Sequence, residues 1–136
     1  MNIVPGYIHQ TYKAIEDELS PIVKAGIIPI VLGGDHSITL AEMWALAKKY
    51  GKLSMVHFDS HSDLCDEVFG EKYNHGTPFR RAMEEGLIDP EKSVQLGMRG
   101  SLYDPNEHKI ARDIGFQLIP SHEMRRIGLD KMPKII

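Results

Sequence analysis

Residues 53–63 read LSMVHFDSHSD, a short apolar run that gives way to alternating acidic and imidazole side chains. A run of this kind is typical of a strand that is buried on both faces of a parallel sheet. The same pattern occurs upstream, where the apolar run 27–32 (IIPIVL) is followed by GGDHS at 33–37. We therefore predict two buried strands, at 27–32 and 53–58, each followed by a polar loop.

Helical patterns alternate with these predicted strands. Apolar spacing and helix-start signals predict helices at 7–24, 37–50 and 78–85. A further helix is predicted with Asp104 as its N-cap, Pro105 at its first position and Glu107 at the capping-box position. Ser121 is expected to cap a last helical turn. Two more strands are predicted at 93–97 and 116–119. The alternation predicts an α/β fold, with a parallel sheet between two layers of helices.

Composition favours one ordinary globular unit. The chain has 136 residues, of which 42% are hydrophobic and 26% charged, with a net charge of −3. This size suits one domain, and the charge gives no reason to expect nucleic acid or an anionic membrane as a partner. Cys65 is the single cysteine, so the chain forms no internal disulfide and a reducing compartment is favoured. Without a membrane-length apolar segment or a leader-like start, we expect a cytoplasmic location.

The polar residues after the two strands indicate a metal site. Ligands of open parallel sheets bind beyond the carboxyl ends of the strands. In an extended chain alternate side chains share a face, so Asp59, His61 and Asp63 would project together. Carboxylate and imidazole donors suit Mn²⁺, Fe²⁺ or Zn²⁺. We predict that these three residues and His36, in the upstream loop, are metal ligands.

Structural roles are the alternative for several of these residues. Polar side chains collect in strand-to-helix loops as caps and turn formers. For His36 taken alone this alternative is equally good, because ordinary capping residues flank it. His57 lies within a predicted strand and is interpreted as a core histidine or as one that supports a ligand. His75 lies in a loop, where a surface histidine is the simpler interpretation from the residues alone. The other histidines, on predicted helices, are taken as structural: His9, His108 and His122.

Two other kinds of site find less support. Cys65 stands in the acidic stretch 63–67, which would raise the pKa of its thiol and disfavours a nucleophilic role. A phosphoesterase would need basic residues near the metal ligands to bind phosphate. After Asp59, the first lysine or arginine in the sequence is Lys72.

Three ordered motifs resemble the ureohydrolase family of arginases and agmatinases. They are GGDHS at 33–37, Asp59-x-His61-x-Asp63, and NHGTPF at 74–79. The continuation at 79–104, FRRAMEEGLIDPEKSVQLGMRGSLYD, is most similar to the agmatinase branch. The similarity spans nearly the whole chain and implies part of an arginase-like fold.

The resemblance also implies a mechanism. His36, Asp59 and Asp63 would bind one Mn²⁺, and Asp59 and His61 a second. A hydroxide between the two ions would attack the guanidinium carbon of a small cationic substrate such as agmatine. The products would be urea and a diamine such as putrescine, a step of polyamine biosynthesis. His75 matches the family's mobile-loop histidine, which passes protons to the leaving amine, so the resemblance favours a catalytic role for it. The full-length protein is expected to be a homo-oligomer.

The chain departs from the family pattern in sequence and in length. Ser60 stands where the family usually has alanine, and Cys65 where arginases have an asparagine that reads the amino-acid end of the substrate. The second difference disfavours arginine as the substrate.

Family members are about twice as long, and their later strand with Ser-x-Asp-x-Asp, which completes both metal shells, is absent here. We therefore predict that 1–136 is one partial ureohydrolase domain, inactive or nearly so by itself, whose sheet exposes an edge. The alternative is a truncated, non-catalytic module that binds metal or assembles with full-length subunits.

Overall fold

The computed structural model describes residues 6–136, in which helices and parallel strands alternate. The helices are α1 (Ile8–Lys24), α2 (Ile38–Tyr50), α3 (Pro78–Glu84), α4 (Glu107–Ile114) and α5 (Ser121–Ile127). The strands are β1 (Val56–Phe58), β2 (Val94–Met98) and β3 (Gln117–Pro120). Short 3₁₀ turns occupy Pro90–Lys92 and Leu129–Lys134. No helix of this described part is long and apolar enough to cross a membrane.

The sheet is parallel, with the strand order β1-β2-β3. Val56 of β1 lies opposite Val94 of β2, which in turn lies opposite Gln117 of β3. This confirms the parallel α/β architecture that the alternating pattern predicted, since the chain returns to the same sheet edge after each helix.

Two apolar clusters lie on the two faces of the sheet. The larger cluster joins α1, α2 and α3 to the sheet and includes Tyr12, Leu40 and Leu118. The smaller one packs α5 and the last 3₁₀ turn on Leu96 and Ile119. Leu118 and Ile119 are neighbours on β3 that enter opposite clusters, as the alternation of side chains along a strand requires. The result is the expected order of helix, sheet and helix layers.

The predicted strand at 27–32 is wrong. Three of its side chains are almost fully exposed, with Ile28 at 86%, Ile30 at 88% and Leu32 at 91%, although Val31 packs against the larger cluster. A buried strand needs neighbours that accept its backbone hydrogen bonds and cover its faces. Among residues 6–136, no strand pairs with this run, and β1 pairs with β2 alone. The outer strand β1 exposes Val56 and Phe58 as well.

The ends of other elements also differ from prediction. The strand expected at 53–58 is shortened to Val56–Phe58, and Leu53 forms only an isolated bridge with Ile88. Asp104 is not the N-cap of α4, because the helix begins at Glu107 and Asn106 holds the N-cap position; the Asp104 carboxylate accepts the Asn106 backbone N–H at 2.7 Å in the turn before it.

The two predicted caps at Glu107 and Ser121 are wrong as well. The Glu107 carboxylate accepts a hydrogen bond from the Ser62 hydroxyl and makes no capping box. Ser121 is the first residue of α5, which follows Pro120 and has no side-chain cap.

Candidate metal centre

Four side chains converge at the carboxyl end of β1. His36, His57, Asp59 and Asp63 each offer one ligand atom, and these four atoms all lie within 4.8 Å of one another. His36 precedes α2, His57 belongs to β1, and the two aspartates lie in the loop that follows that strand. The fold therefore joins the two polar motifs into one cluster at the sheet edge, where ligands of open α/β sheets bind.

The shortest contact in the cluster joins the two motifs. Nδ1 of His36 lies 2.5 Å from Oδ2 of Asp63 and 3.8 Å from Oδ2 of Asp59. Nε2 of His57 lies 3.6 Å from the same Asp59 oxygen. The ring of Phe79 stands 5.3 Å from the His36 ring and 4.5 Å from the His57 ring, and forms an apolar wall behind them.

The loop after β1 is bent rather than extended. Oδ1 of Asp59 accepts the backbone N–H groups of Ser60 at 2.5 Å and His61 at 3.0 Å. Asp63 adopts φ = 51°, a left-handed conformation that aspartate tolerates better than most residues. The alternation of an extended chain therefore does not explain the cluster. The bend brings Asp63 against His36.

His61 lies beside the four-residue cluster. Its side chain is 49% exposed, its Nδ1 lies 3.8 Å from Oδ1 of Asp59, and it shares a 3.0 Å hydrogen bond with the Ser60 hydroxyl. His36 and His57 approach the other oxygen of Asp59, Oδ2. The two carboxylate oxygens thus face different imidazoles, an arrangement that a bridging carboxylate requires.

The cluster perturbs the proton affinities of its members. Burial acts to raise the pKa of Asp59, but the backbone N–H groups of His61 and Ser60 outweigh it, so this pKa lies below its usual value. The hydrogen bond to Asp63 holds the pKa of His36 above its usual value. Burial, together with the nearby His36, lowers the pKa of His57 to about 4.

The donor set fits a divalent cation. Two carboxylates and imidazole nitrogens are the mixed oxygen and nitrogen ligands that Mn²⁺, Fe²⁺ or Zn²⁺ accept. Within residues 6–136, the ion pairs of Asp59 and Asp63 are all with histidines, and neither carboxylate pairs with a lysine or arginine. A bound cation would balance acidic charge that no lysine or arginine neutralises here.

A small cleft opens next to the cluster, with a volume of about 110 Å³. Its lining includes side chains from three separate segments: His61, Asp63, Cys65, His75, Tyr103 and Glu107. His75 is exposed, in a loop that the Asn74 side chain secures through the carbonyls of Val68 and Glu71. The loop histidine therefore faces the same cleft as Asp63 of the cluster.

Cys65 lines this cleft without the properties of a nucleophile. Burial raises the pKa of its thiol, and the neighbouring carboxylates of Glu107 and Asp63 raise it further. The upward direction expected from the acidic stretch is confirmed, although burial contributes more than charge.

Sequence reasoning missed several residues that support the site. Gln95 and Glu107 hold Ser62 in the ligand loop, and Gly100 leaves room for a ligand candidate, because a Cβ there would overlap the imidazole of His61. A polar Gln95 within an apolar strand was the one available signal. The other contacts join segments that are far apart in sequence.

The fold and the cluster together define an α/β protein with a candidate metal centre at the carboxyl edge of its sheet. The chain belongs to the arginase family, since the Arginase family model matches residues 1–136.

Among curated proteins, it is 47% identical over 111 residues to the mitochondrial agmatinase of Gallus gallus, a match that covers 82% of this chain and 33% of that protein. It is 45% identical over 119 residues to a guanidinopropionase of Pseudomonas aeruginosa, covering 87% of this chain and 37% of that one.

Solved structures share the fold. The proclavaminate amidino hydrolase of Streptomyces clavuligerus superposes with a TM-score of 0.87 at 33% identity, covering 99% of this chain and 45% of that chain. An arginase of Bacillus subtilis superposes with a TM-score of 0.82 at 27% identity, covering 94% of this chain and 48% of that one. These matches confirm the arginase-like fold, and the chain spans about a third of the length of the curated relatives named above.

Proposed function

We propose that this chain carries most of the binuclear manganese site of a ureohydrolase that cleaves a guanidino compound, above all agmatine, into urea and an amine such as putrescine. In this proposal His36, Asp59 and Asp63 hold one ion, Asp59 and His61 hold the other, and His75 is the catalytic proton carrier. The observation that carries the proposal is that Asp63 of the cluster and His75 line the same cleft.

Each group has a defined task. When bound, two divalent ions supply a water of lowered pKa and polarise the substrate. Asp59 and Asp63 provide the anionic oxygens that hold the ions, and His36 and His61 provide the nitrogens. An imidazole nitrogen of His75 gives a proton to the amine nitrogen as the carbon–nitrogen bond breaks, because an unprotonated amide-like anion is a poor leaving group. The exposure of His75 lets its ring reach a substrate in the cleft.

The charge of the cleft favours a substrate with two cationic ends. Asp63 and Glu107 contribute carboxylates to the lining, and no lysine or arginine is among its described residues. Agmatine carries a guanidinium at one end and an ammonium at the other, whereas a guanidino acid would place its own carboxylate near these acidic groups. Cys65 in the lining also has no side-chain amide that could hydrogen-bond to the amino-acid end of a substrate such as arginine.

The site is proposed to be incomplete in these 136 residues. Within residues 6–136, strand β1 has one unpaired edge, and Ile28, Ile30 and Leu32 of the run 27–32 are exposed. Residues 1–136 are in this proposal one partial ureohydrolase domain, whose further aspartate ligands lie on a strand outside them. The exposed edge is also the observation that favours the second candidate, a non-catalytic metal-binding or assembly module. The cytoplasmic location and a homo-oligomeric state stay predictions.

Urea release tests the proposal. The full-length product of the gene that contains this sequence, loaded with Mn²⁺, should release urea from agmatine faster than from arginine or from guanidino acids. The 136 residues alone should release none that can be measured, since the metal shells lack carboxylates. Urea production by the 136 residues would contradict the incompleteness. Absence of urea from every guanidino compound with the full-length product would contradict the function and favour the non-catalytic module.

A further inference from the structure

A buried amide connects the sheet to the ligand loop. Gln95 is fully buried on the central strand β2, in register with His57 of β1. Its Nε2 lies 2.6 Å from the carbonyl oxygen of Ser62 and 3.2 Å from Nδ1 of His57. Ser62 is itself fully buried, between the ligand candidates His61 and Asp63.

The Ser62 carbonyl fixes the orientation of this amide. A carbonyl oxygen only accepts hydrogen bonds, so the NH₂ group of Gln95, and not its oxygen, faces Ser62. The second hydrogen of the same NH₂ group then points to Nδ1 of His57. Nδ1 must accept it, so the proton of the His57 ring is on Nε2.

Ser62 is held from a second side as well. Its hydroxyl donates a hydrogen bond to the buried carboxylate of Glu107, in the first turn of α4. The carbonyl that orients Gln95 is therefore attached to two elements, β2 through Gln95 and α4 through Glu107. Because the backbone at Ser62 is held in this way, the NH₂ group of Gln95 is directed toward the Ser62 carbonyl by contacts within the folded chain.

We propose that His57 is not a metal ligand but a positioning residue, whose Nε2–H donates to the carboxylate of Asp59 and whose tautomer is set by Gln95 and Ser62. Nε2 of His57 is one of the buried side-chain atoms without a hydrogen-bond partner within residues 6–136, and the carboxylate oxygen Oδ2 of Asp59 lies 3.6 Å away. A small rotation of the Asp59 carboxylate closes that distance to a hydrogen bond.

The tautomer decides between two roles that geometry alone allows. A ring nitrogen of His57 lies within 4.8 Å of the ligand atoms of His36, Asp59 and Asp63, so distance alone would allow all four residues to bind one metal ion. A metal would need the lone pair of Nε2, and that nitrogen is protonated when Nδ1 accepts from Gln95. If His57 instead donates a hydrogen bond to the Asp59 carboxylate, it fixes the rotation of that carboxylate. Hydrogen bonds of this kind to metal-binding carboxylates are common in metal sites. The inference rests on the proposed function only in taking Asp59 as a ligand.

Nuclear magnetic resonance of the ¹⁵N-labelled, metal-free chain tests the tautomer directly. The His57 ring, assigned by its absence in His57→Gln, should show a protonated Nε2 and an unprotonated Nδ1. Gln95→Leu should remove this preference. A protonated Nδ1 in the unsubstituted chain would overturn the inference. This readout needs neither manganese nor urea release, so its outcome is separate from that of the proposed function.

Metal affinity supplies a second test. In His57→Gln the side-chain amide can place a donor near the position of Nε2, so Mn²⁺ affinity measured by calorimetry should stay within about threefold of that of the unsubstituted chain. His57→Phe keeps a ring without a donor and should weaken affinity about 10- to 100-fold. His122→Phe, on the exposed surface of α5, is the matched control and should change nothing. Equal loss in both His57 variants, or the loss of one bound ion in each, would make His57 a ligand and overturn the inference.

Discussion

Nδ1 of His36 lies 2.5 Å from Oδ2 of Asp63, although the two residues are 27 positions apart in the sequence. This contact joins the loop before α2 to the loop after β1, and it makes one candidate metal centre from two motifs that sequence presents separately. Both groups offer good ligand atoms, and a bound cation would sit between or beside them.

Removal of the Asp63 charge should weaken metal binding. Asparagine tolerates the left-handed φ of 51° at this position, so Asp63→Asn removes a carboxylate while the backbone is kept. We expect Mn²⁺ affinity of the 136-residue chain, measured by calorimetry, to fall more than about tenfold, or 1.4 kcal/mol. Asp113→Asn, at an exposed carboxylate paired with Lys109, should leave affinity unchanged. Equal affinities in the two variants would argue against Asp63 as a ligand.

His75 should matter for turnover and not for metal content. His75→Asn in the full-length protein removes the proton carrier of the cleft, and kcat for urea release should fall about 10²- to 10⁴-fold. Bound manganese, measured by atomic absorption, should be unchanged because His75 lies outside the ligand cluster. His122→Asn, at an exposed position of α5, is the control. A normal kcat in His75→Asn would return this residue to a surface-loop role.

The lack of a side chain at residue 100 should matter for His61. A Cβ on Gly100 would overlap the His61 imidazole, so Gly100→Ala should displace that ring from Oδ1 of Asp59. In the full-length Gly100→Ala protein, we expect the manganese ion that Asp59 and His61 are proposed to hold to bind more weakly than the other ion, so a titration should show it lost first. Gly34→Ala adds the same methyl group where, apart from the adjacent residues of the chain, no atom of residues 6–136 lies within 4 Å, and it should keep both ions. Two ions bound at unchanged affinity in Gly100→Ala would exclude His61 from the ligand set.

Exposure of the run 27–32 can be tested by stability. Ile30→Ser changes a side chain that is 88% exposed, so the free energy of unfolding of the 136-residue chain should change by less than about 0.5 kcal/mol. Leu40→Ala, at a side chain only 1% exposed in the larger cluster, should cost about 2–5 kcal/mol. Chemical denaturation measures both. A large loss in Ile30→Ser would show that this run is buried in solution.

Tyr12 should make the chain sensitive to alkali. Burial raises the pKa of Tyr12 to about 12 from an ordinary 10.0, against the opposing hydrogen bond to Ser37. The folded chain therefore keeps a proton that the unfolded chain releases above pH 10, so this contribution to stability is present below pH 10 and lost as the pH rises toward 12. The free energy of unfolding should fall about 2–3 kcal/mol further over this range than in Tyr12→Phe. Tyr50→Phe, at an exposed tyrosine, should keep the original slope.

Much of the fold could be predicted from sequence because its signals are local. Apolar spacing placed α1, α2 and α3 to within a residue at each end, since one helical face must meet the core. The parallel sheet followed from the alternation of these helices with short apolar runs. The run 27–32 was misjudged because its apolar residues are suited to burial, whereas burial itself depends on neighbouring strands that residues 6–136 do not provide.

The sequence by itself determined the chemical character of the candidate centre: acidic and imidazole groups placed directly after the apolar runs, in an order that resembles a known family. Only the tertiary structure decided which atoms meet. It turned the loop at Asp63 back onto His36, brought His75 to the same cleft, and oriented His57 through the buried amide of Gln95. The physical reason is that these contacts depend on the bend of one loop and on the register of two strands, and neither leaves a local pattern in the sequence.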